Sequence, residues 1–466
     1  MSSNWPTVKL GDFCKKIGSG ATPRGGASVY MDDGEICLIR SQNVHNEGFN
    51  PNGLVYIDED AAKKLSNVIV EENDVLLNIT GDSVARVCLA KSRFLPARVN
   101  QHVAIIRPDE DEFDPRFIRY LLASPTYQNI LLSIAAVGAT RNALTKGMIE
   151  NLDVLKPPIE QQIEMANQLE ALDKKIDINS ETNQTLEQIA QAIFKSWFVD
   201  FDPVKAKIET LAAGGSADDA ELAAMSVISA KTIDELNSLK TSNPEAFNKL
   251  AQTAALFPKD LDNETGTPAG WNSGVIADIA KLNANSWTKK NRPEQVHYVD
   301  LSNTKNGRIE TVTTYGFDEA PSRARRILNS GDTIIGTVRP GNRAFAFIGE
   351  TEKPLTGSTG FAVLSPKEEF WTSFVYLATT NDDAIDEYAR LADGGAYPAI
   401  KPEVVADTPC VLPTKDIAQK FWQLTGAMLK KAHQARLENE ELAKTRDTLL
   451  PKLLSGEINV TSEVVE

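Results

Sequence analysis

Histidine and cysteine are the residue types that most often ligate metals or supply nucleophiles, so we consider their spacing first. The four cysteines lie far apart and form no Cys-x-x-Cys pair. The four histidines have neither metal-ligand spacing nor a serine or cysteine partner in an elbow motif. These residues are Cys14, Cys37, Cys88, Cys410, His45, His102, His297 and His433. We therefore expect free thiols in a reducing compartment, no disulfide framework and no metal site.

Two further motifs could hold a phosphate or a cofactor. The run GSGATPRGG at 18–26 is rich in glycine, but Ala and Ser follow it instead of the Lys-Ser/Thr that completes a phosphate loop. We interpret it as a turn or a contact loop. The Pro157-Pro158 pair lacks the flanking residues that mark an adenine methyltransferase pocket. We expect no catalytic residue and no cofactor in this chain, although an enzyme with an unrecognised active site stays open as an alternative.

The charge of the chain is distributed unevenly. A formal charge of −15 argues against a nucleic-acid binder, because phosphate contacts need Lys and Arg. Residues 1–155, with 16 basic and 19 acidic residues, and residues 270–412, with 15 and 18, each have a net charge of only −3. Residues 200–269 carry 6 basic and 12 acidic residues. The acidity is therefore concentrated outside the two long segments.

The two long segments repeat one pattern. KLGD (9–12), IRSQN (39–43), NDVLLNIT (73–80) and NQHVAIIR (100–107) match VIAD (275–278), VDLSN (299–303), GDTIIGTV (331–338) and STGFAVLS (358–365), in the same order. The short β-branched runs bounded by Gly, Asn or Asp predict strands. Residues 114–122 and 370–378 have the spacing of a short helix in each copy. Each copy is thus predicted to be a mixed α and β domain.

Each copy ends in a proline exit that is followed by a stripe of apolar residues with heptad-like spacing. Each stripe runs for roughly 35 residues, or about 50 Å as a helix, which a small domain cannot bury alone. We therefore expect the two helices to pack on each other, with polar residues near Asn179, Asn183, Glu438 and Asn439 fixing the register. The predicted seam residues are Leu169, Leu172, Ile176, Leu186, Ile189, Ile193 and Trp197 in the first helix, and Phe421, Leu424, Met428, Ala435, Leu442 and Leu449 in the second.

These features divide the chain into five predicted segments. The two copies cover 1–157 and 270–413, and the helical spacers cover 158–200 and 414–466, the second with a C-terminal tail. Residues 201–269 contain alanine-rich, acidic runs such as GGSADDAELAAM and predict a largely helical connector. Whether this connector also offers a partner surface stays open.

Several strings resemble the specificity subunits of type I restriction-modification systems, the HsdS family. They are NQTLEQIAQAIFKSWFVDF (183–201), RDTLLPKLLSG (446–456), SGATP (19–23), NQHV (100–103), GSTGF (357–361) and PPIEQ (157–161). The resemblance extends over nearly the whole chain. It implies an α+β protein with two target-recognition domains, joined by two long helices in an antiparallel coiled coil and related by a pseudo-twofold arrangement.

The resemblance also implies a function and partners. Each target-recognition domain would read one half of an asymmetric, split site in double-stranded DNA, with an unread gap between the halves. The partners would be two modification subunits that methylate adenine with S-adenosylmethionine. Two motor-nuclease subunits would use ATP and Mg to cleave unmodified DNA, such as that of an infecting phage. Because both recognition domains are close to neutral, we expect weak DNA affinity for this subunit alone.

Side chains that read DNA should be polar and should lie in loops, with Arg suited to guanine and Asn or Gln to adenine. The candidates in the first copy are Thr22, Arg24, Ser41, Gln42, Asn43, Thr80, Asn100, Gln101, Arg141 and Lys146. The candidates in the second copy are Trp287, Lys289, Lys290, Arg292, Asn303, Arg325, Arg326, Arg339, Arg343, Thr359 and Tyr397. The basic cluster around Lys289 is the strongest of these.

A different class of protein fits part of the same pattern. A coiled-coil scaffold would use the repeated domains to bind protein, and its binding would not depend on DNA sequence. The start of the chain lacks a basic stretch followed by an apolar run, and no apolar run reaches about 18 residues. We therefore expect a cytoplasmic protein without a membrane partner.

Overall fold

The computed structural model describes residues 5–136, 142–288 and 290–458. The chain forms two compact units. Unit 1 consists of Met1–Ile178 and Glu438–Glu466, and unit 2 consists of Asn179–Leu437. Each unit therefore contains one of the repeated segments together with parts of both long helices, so neither unit is a single continuous stretch of chain.

Unit 1 contains two four-stranded sheets, a hairpin and a ribbon that pairs the start of the copy with its end. The strands are β1 (Thr7–Lys9), β2 (Cys14–Ser19), β3 (Ile36–Ile39), β4 (Val44–His45), β5 (Gly48–Phe49), β6 (Val55–Ile57), β7 (Ile69–Val70), β8 (Val75–Asn78), β9 (Val87–Leu89), β10 (Ala97–Val99), β11 (Val103–Pro108) and β12 (Asp153–Leu155). The sheet orders are β2-β11-β8-β9 and β6-β3-β10-β7, with β10 parallel to β3 and antiparallel to β7. Strand β1 pairs with β12.

Four helices accompany these strands: α1 (Glu59–Lys64), α2 (Pro115–Ala123), α3 (Pro125–Ala136) and α4 (Lys146–Glu150). Helix α2 begins at Pro115, and the Asp114 side chain accepts a hydrogen bond from the backbone N–H of Arg116 at 2.8 Å. This is a usual N-terminal cap. Its apolar face, with Phe117 and Leu121, is buried with the sheet residues of β8 and β11 in one core.

The first long helix, α5, runs over Ile159–Phe198, and the connector follows it as four helices. These are α6 (Asp202–Ala212), α7 (Ala217–Ser229), α8 (Ile233–Ser242) and α9 (Pro244–Ala255), and they belong to unit 2. Ser216 and Thr232 cap α7 and α8 through capping boxes with acidic residues. Lys207 is buried, and its ammonium group bonds to Glu221 and to the carbonyls of Ala254 and Phe257 at 2.7 to 2.8 Å.

The second copy folds like the first. Its strands are β13 (Asn272–Val275), β14 (Ala280–Leu282), β15 (Gln295–Val299), β16 (Thr304–Lys305), β17 (Arg308–Ile309), β18 (Thr313–Gly316), β19 (Ala324–Leu328), β20 (Thr333–Gly336), β21 (Phe345–Phe347), β22 (Leu355–Ser358), β23 (Phe361–Pro366) and β24 (Pro409–Leu412). Its helices are α10 (Ile276–Ile279), α11 (Thr372–Thr380), α12 (Asp382–Leu391), α13 (Pro402–Ala406) and the second long helix α14 (Lys415–Leu454). The sheet orders β14-β23-β20-β21 and β18-β15-β22-β19 repeat those of unit 1 strand for strand, and β13 pairs with β24. The predicted α+β class and its internal repeat are confirmed.

Helices α5 and α14 each have 40 residues, longer than the predicted stripes. Within unit 1, Asp173 of α5 pairs with Arg446 of α14 at 2.8 Å, and the carbonyl of Ile176 accepts from Asn439 at 3.3 Å. Residue numbers rise along one helix as they fall along the other, so the pair is antiparallel. Within unit 2, the rings of Phe194 and Trp197 on α5 contact the Phe421 ring on α14, at centroid distances of 6.1 and 5.8 Å.

The predicted seam residues differ in burial. Three are buried, namely Leu169, Trp197 and Phe421. Eight are half-buried, namely Leu172, Ile176, Leu186, Ile193, Met428, Ala435, Leu442 and Leu449. Two require correction, because Ile189 and Leu424 are 41% and 38% exposed. Their neighbours Ala190 and Thr425 occupy the buried positions, since a straight helix of 3.6 residues per turn drifts away from a strict heptad stripe.

None of the helices in the described residues is both long enough and apolar enough to cross a membrane.

Candidate nucleic-acid interface

One end of unit 1 gathers polar side chains from loops that are distant in sequence. Thr80 follows strand β8, and His102 lies in the turn between β10 and β11. The Thr80 hydroxyl is 2.5 Å from Nδ1 of His102. The Gln101 amide lies 2.7 Å from the other ring nitrogen of His102. Ser41 joins this group through its carbonyl, which accepts from the Asn78 amide at 2.8 Å. The structure therefore brings together the predicted contact residues Ser41, Thr80 and Gln101.

The glycine-rich run predicted to be a turn or contact loop begins at the same end. Gly20 donates its N–H to the carbonyl of Asn100 at 3.2 Å. A Cβ atom at this position would lie 1.8 Å from the carbonyl oxygen of Val99, so a side chain cannot be accommodated there. This close approach fixes the start of the loop that carries Thr22 and Arg24. Both of these candidates are exposed.

Two candidates in unit 1 have a different role from the one predicted. Asn43 is fully buried, with its amide donating to the carbonyl of Asn50 at 2.9 Å and its oxygen accepting from the N–H of Arg40 at 3.0 Å. Asn100 is also buried, and its side-chain oxygen accepts from the N–H of His102 at 3.0 Å. These asparagines hold the turns in shape, because Asn side chains readily bond to nearby backbone.

The other candidates of unit 1 lie at its surface or beyond the part described. Gln42 is exposed and donates to the carbonyl of Gly53 at 2.9 Å. Lys146 is exposed at the start of α4 and pairs with Glu150 at 3.4 Å. Arg141 lies outside the described residues.

Unit 2 has a groove of about 810 Å³ at the corresponding place. It is built from the turn after β15, the hairpin β16-β17 and the loop between β20 and β21. Its lining includes the basic residues Lys305, Arg323, Arg339 and Arg343, the acidic residues Asp300 and Glu310, and the polar residues Ser302, Thr304, Asn306, Asn342 and Tyr397. The basic side chains outnumber the acidic ones, although the chain as a whole is acidic.

Three predicted contact residues, Arg339, Arg343 and Tyr397, line this groove. The guanidinium of Arg339 stacks over the Tyr397 ring, 4.8 Å from its centroid, and donates to the carbonyl of Ala396 at 2.6 Å. Arg343 forms an ion pair with Asp382 at the start of α12. Thr359 is exposed, and its N–H donates to the carbonyl of Arg323 at 2.8 Å. Asn303, in the turn after β15, is half-buried.

A second group of candidates in unit 2 packs along strands β19 and β22 and not in the groove. The indole N–H of Trp287 donates to the hydroxyl of Thr356 at 2.9 Å. Arg325 lies over the Phe317 ring at 5.1 Å and donates to the carbonyl of Ala324 at 2.7 Å. Arg326 reaches Ser286 at 3.4 Å, and burial lowers the pKa of its guanidinium. These contacts give the three side chains a structural role in unit 2, in addition to their predicted role in DNA binding.

The basic cluster around Lys289 can be described only in part, since Lys289 itself lies outside the described residues. Lys290 is exposed. Arg292 is exposed and pairs with Asp318 at 2.7 Å. Exposed ion pairs of this kind contribute little stability, so the Arg292 side chain can exchange partners at small cost.

Sequence reasoning missed most of the polar residues that line the groove, among them Lys305, Asn306, Arg323 and Asn342. Asn342 could have been predicted from the sequence, because it belongs to the PGN turn (340–342) between two arginines that were predicted to contact DNA. Lys305 and Asn306 belong to the hairpin β16-β17, whose short strands give no periodic pattern. Arg323 precedes β19 and enters the groove only through the pairing of β19 with β22.

The described residues contain no group of three or more His, Cys, Asp or Glu side chains that could hold a metal ion. Burial raises the pKa of Cys14, Cys88 and Cys410 to about 12, which keeps these thiols protonated at neutral pH.

Comparison with known proteins finds similar sequences over nearly the whole chain. Residues 2–188 match the model of the type I restriction modification DNA specificity domain. The chain is 28% identical over 475 residues to the type I restriction enzyme HindI specificity subunit of Haemophilus influenzae, covering 98% of this chain and 100% of that protein. It is 23% identical to the MjaIX specificity subunit of Methanocaldococcus jannaschii, covering 98% of this chain and 94% of that one.

A solved structure has the same fold. The crystal structure of the S subunit of a type I restriction-modification system from M. genitalium matches with a TM-score of 0.52 at 16% identity, covering 97% of this chain and 96% of that chain. The two relatives are matched nearly from end to end. The chain is therefore similar over nearly its whole length to type I restriction enzyme specificity subunits, and its residues 2–188 match the DNA specificity domain of such systems.

Proposed function

We propose that this chain is the DNA sequence-specificity subunit of a type I restriction-modification complex, in which unit 1 and unit 2 each read one half of a split, asymmetric site. The observation that carries the proposal is the repeated placement of polar loops at one end of the same sheet, at Thr80 and Gln101 in unit 1 and at Arg339 in unit 2. Polar side chains on loops that a rigid sheet positions can reach base edges in the major groove.

The electrostatics of unit 2 support DNA as the ligand. A net charge of −15 repels DNA at long range, but four basic side chains converge in one groove. Affinity for phosphates depends on such local clusters, and the basic surface that the chain lacks elsewhere would come from its partner subunits. The subunit alone would therefore bind DNA weakly, and the assembled complex would bind it tightly.

We also propose that the chain itself performs no catalysis. Its partners would be two modification subunits, which bring S-adenosylmethionine for adenine methylation, and two restriction subunits, which bring ATP and Mg. This division of labour is supported by the names of the relatives, which are specificity subunits. We also propose a cytoplasmic location, because the DNA that the chain would read lies there. The predicted five-segment division and the individual contact residues stay predictions.

The test uses the full chain co-purified with a cognate modification subunit. The complex is incubated with a library of random double-stranded DNA and S-adenosylmethionine, and the bound and the methylated molecules are sequenced. Enrichment and adenine methylation of one split, asymmetric motif is the expected result. We also expect affinity to fall as salt rises, because phosphate contacts release counterions.

Two results would contradict the proposal. A stable complex that enriches no motif would favour a coiled-coil scaffold over a DNA reader. Methylation or cleavage by the purified chain without partners would instead reveal an active site in the chain itself.

A further inference from the structure

The loop between β20 and β21 holds an arginine at each end in an unusual backbone conformation. Arg339 and Arg343 have φ angles of 48° and 60°, in the left-handed region, and residues Pro340–Asn342 form a tight turn between them. This conformation is unfavourable for a non-glycine residue, and such positions are common at binding sites. In unit 1 the first of the two positions is Gly81, with φ of 73°. The arginines of unit 2 are thus retained at positions where glycine fits better.

The two arginines are held differently. Arg343 pairs with the carboxylate of Asp382, so its charge is compensated within unit 2. Arg339 bonds to a neutral carbonyl, that of Ala396, and its guanidinium lies over the ring of Tyr397, which is 73% exposed. A guanidinium has five N–H donors in a planar fork, so the bond to Ala396 leaves donors for a ligand. The carbonyl and the ring together restrain the fork before any DNA binds.

A planar fork with its charge intact matches one base in particular. Guanine presents two acceptors, O6 and N7, in the major groove, and arginine binds both at once. A phosphate also accepts such a fork, but a lysine such as Lys305 in the same groove can neutralise a phosphate as a point charge, whereas only the arginine fork can bind both acceptors of a guanine. Building on the proposed function, we propose that Arg339 selects guanine in the half-site that unit 2 reads, and that Tyr397 is the positioning residue that holds its guanidinium plane.

The main test is Arg339→Gln in the full chain bound to its modification subunit, with random double-stranded DNA as the probe. Glutamine can pair with adenine but not with the two acceptors of guanine. We expect the preference for guanine at one position of one half-site to fall by roughly 5- to 150-fold, with the other half-site unchanged. The unchanged half-site shows in the same experiment that the complex is folded and assembled.

Lys367→Gln is the matched control for the lost charge. Lys367 follows β23 and donates to the carbonyls of Ala277 and Asp278 at 2.8 Å, whereas the groove residue Gly360 precedes the same strand. The two ends of this six-residue strand are about 20 Å apart. We expect Lys367→Gln to leave both half-sites unchanged.

Two Tyr397 variants test the positioning role. Tyr397→Phe keeps the ring and is expected to retain the guanine preference. Tyr397→Ala removes the ring and is expected to relax the preference at the same position as Arg339→Gln, while total affinity for DNA changes much less. A ring that only stabilised the loop would change affinity for all sequences alike.

Three outcomes would overturn the inference. If Arg339→Gln weakens binding to all sequences equally and lowers the salt slope by about 1, Arg339 contacts a phosphate. If neither half-site contains guanine, or if the motif of the variant equals that of the wild type, Arg339 selects no base. In these cases a specific wild-type motif would leave the proposed function standing, whereas a wild-type complex that enriches no motif would overturn both.

Discussion

Units 1 and 2 share one strand order and differ in the side chains that this framework presents. Between β8 and β9 of unit 1, residues 81–85 are Gly-Asp-Ser-Val-Ala, with one acidic and no basic residue, and Arg86 follows them. The equivalent residues of unit 2 are Arg-Pro-Gly-Asn-Arg (339–343), and both of these arginines reach the groove. The backbone follows the same course, since residues 81 and 85 have positive φ angles, as do 339 and 343. The framework therefore fixes where the loop lies, and the loop residues determine what it can bind.

The same comparison holds inside the two sheets. Asp74 and Asp332 occupy equivalent positions, each just before a central strand, and both are buried. In unit 1 the carboxylate of Asp74 receives two bonds from Arg107, at 2.7 and 2.8 Å. In unit 2 the position of Arg107 is taken by Ser365, and burial raises the pKa of Asp332. One unit thus compensates a buried carboxylate with a charge, and the other does so with hydrogen bonds alone.

The long helices are also held differently in the two units. In unit 2 the end of α5 contributes Phe194, Trp197 and Phe198 to an aromatic cluster with Phe421. In unit 1 both helices contribute apolar residues to the core, and a polar network is added in which Asp173 accepts from Arg119 and Arg446 at 2.9 and 2.8 Å. The strings by which the chain resembles type I specificity subunits therefore include packing residues of an aromatic junction and of a junction that contains partly buried polar contacts.

The largest expected effect comes from removing the centre of the aromatic junction. Trp197 is 2% exposed and contacts Phe257 and Phe421, with ring centroids 5.0 and 5.8 Å away. Trp197→Ala leaves a large cavity and should lower the free energy of unfolding of unit 2 by about 3 to 5 kcal/mol. Hydrogen exchange, which reports each unit separately, measures this loss in α5 and α14.

Leu172→Ala in the unit 1 part of α5 is the comparison variant. This side chain is half-buried, so the expected loss is about 1 to 2 kcal/mol and should be confined to unit 1. Equal losses for the two variants would show that the junctions do not differ in strength.

A smaller but still large effect is expected for Arg107→Ala in unit 1. Without the guanidinium, the Asp74 carboxylate, 1% exposed, would stay buried without its charge partner, at a cost of about 3 kcal/mol. Ser365→Ala removes the equivalent residue of unit 2 and should cost about 1 kcal/mol, since only a hydrogen bond is lost. Chemical denaturation combined with hydrogen exchange in β8 and β20 measures both. The comparison fails if Ser365→Ala is as damaging as Arg107→Ala.

The sequence predicted the framework because the repeat preserves local patterns. Strands such as β8 and β20 are short apolar runs, and α5 and α14 carry long apolar stripes with helical spacing. Both kinds of element can therefore be recognised directly in the sequence. The buried positions within these elements do not follow the period strictly. Ile189 and Leu424 fit a heptad, but the helices drift from that period and bury Ala190 and Thr425 instead.

The binding surface could be predicted only in part, because residue type does not distinguish a base contact from a turn contact. Asn43 and Asn100 have the right chemistry and lie in loops, yet their amides bond to nearby backbone. Arg323 reaches the groove through the pairing of β19 with β22, which joins segments distant in sequence, and Lys305 lies in the local hairpin β16-β17, whose strands have only two residues each. A distant pairing is not encoded in a local pattern and a two-residue strand shows no period, so the neighbours of these residues become known only from the fold.

A modest effect is expected when the loop of unit 1 is given the charge of unit 2. Gly81→Arg places an arginine where unit 2 has Arg339, and the space around a Cβ atom at residue 81 is open. The positive φ angle of 73° should cost about 1 kcal/mol of stability. DNA affinity of the complex should rise, and the salt slope should steepen by about 1 if the new charge meets a phosphate. Gly81→Ala, with the same backbone cost and no charge, is the control, and an identical affinity, selected motif and salt slope for both variants would show that the two loops do not face DNA alike.

The smallest effect is expected for Asp332→Asn in unit 2, and its sign depends on pH. Because burial raises the pKa of Asp332 above that of an unfolded chain, ionisation of this carboxyl opposes folding. That cost is absent at pH values below the ordinary aspartate pKa and is fully present once the pH exceeds the raised pKa. Asparagine cannot ionise, and its oxygen can still accept the bond that Asn329 donates at 2.8 Å. The variant should therefore stabilise unit 2 by up to about 1 kcal/mol at neutral pH, and the gain should disappear as the pH falls.

Asp74→Asn in unit 1 should instead destabilise at neutral pH, because it removes the charge partner of Arg107. Thermal unfolding across pH measures both variants, and effects of the same sign at neutral pH would mean that the two buried carboxylates are compensated in the same way.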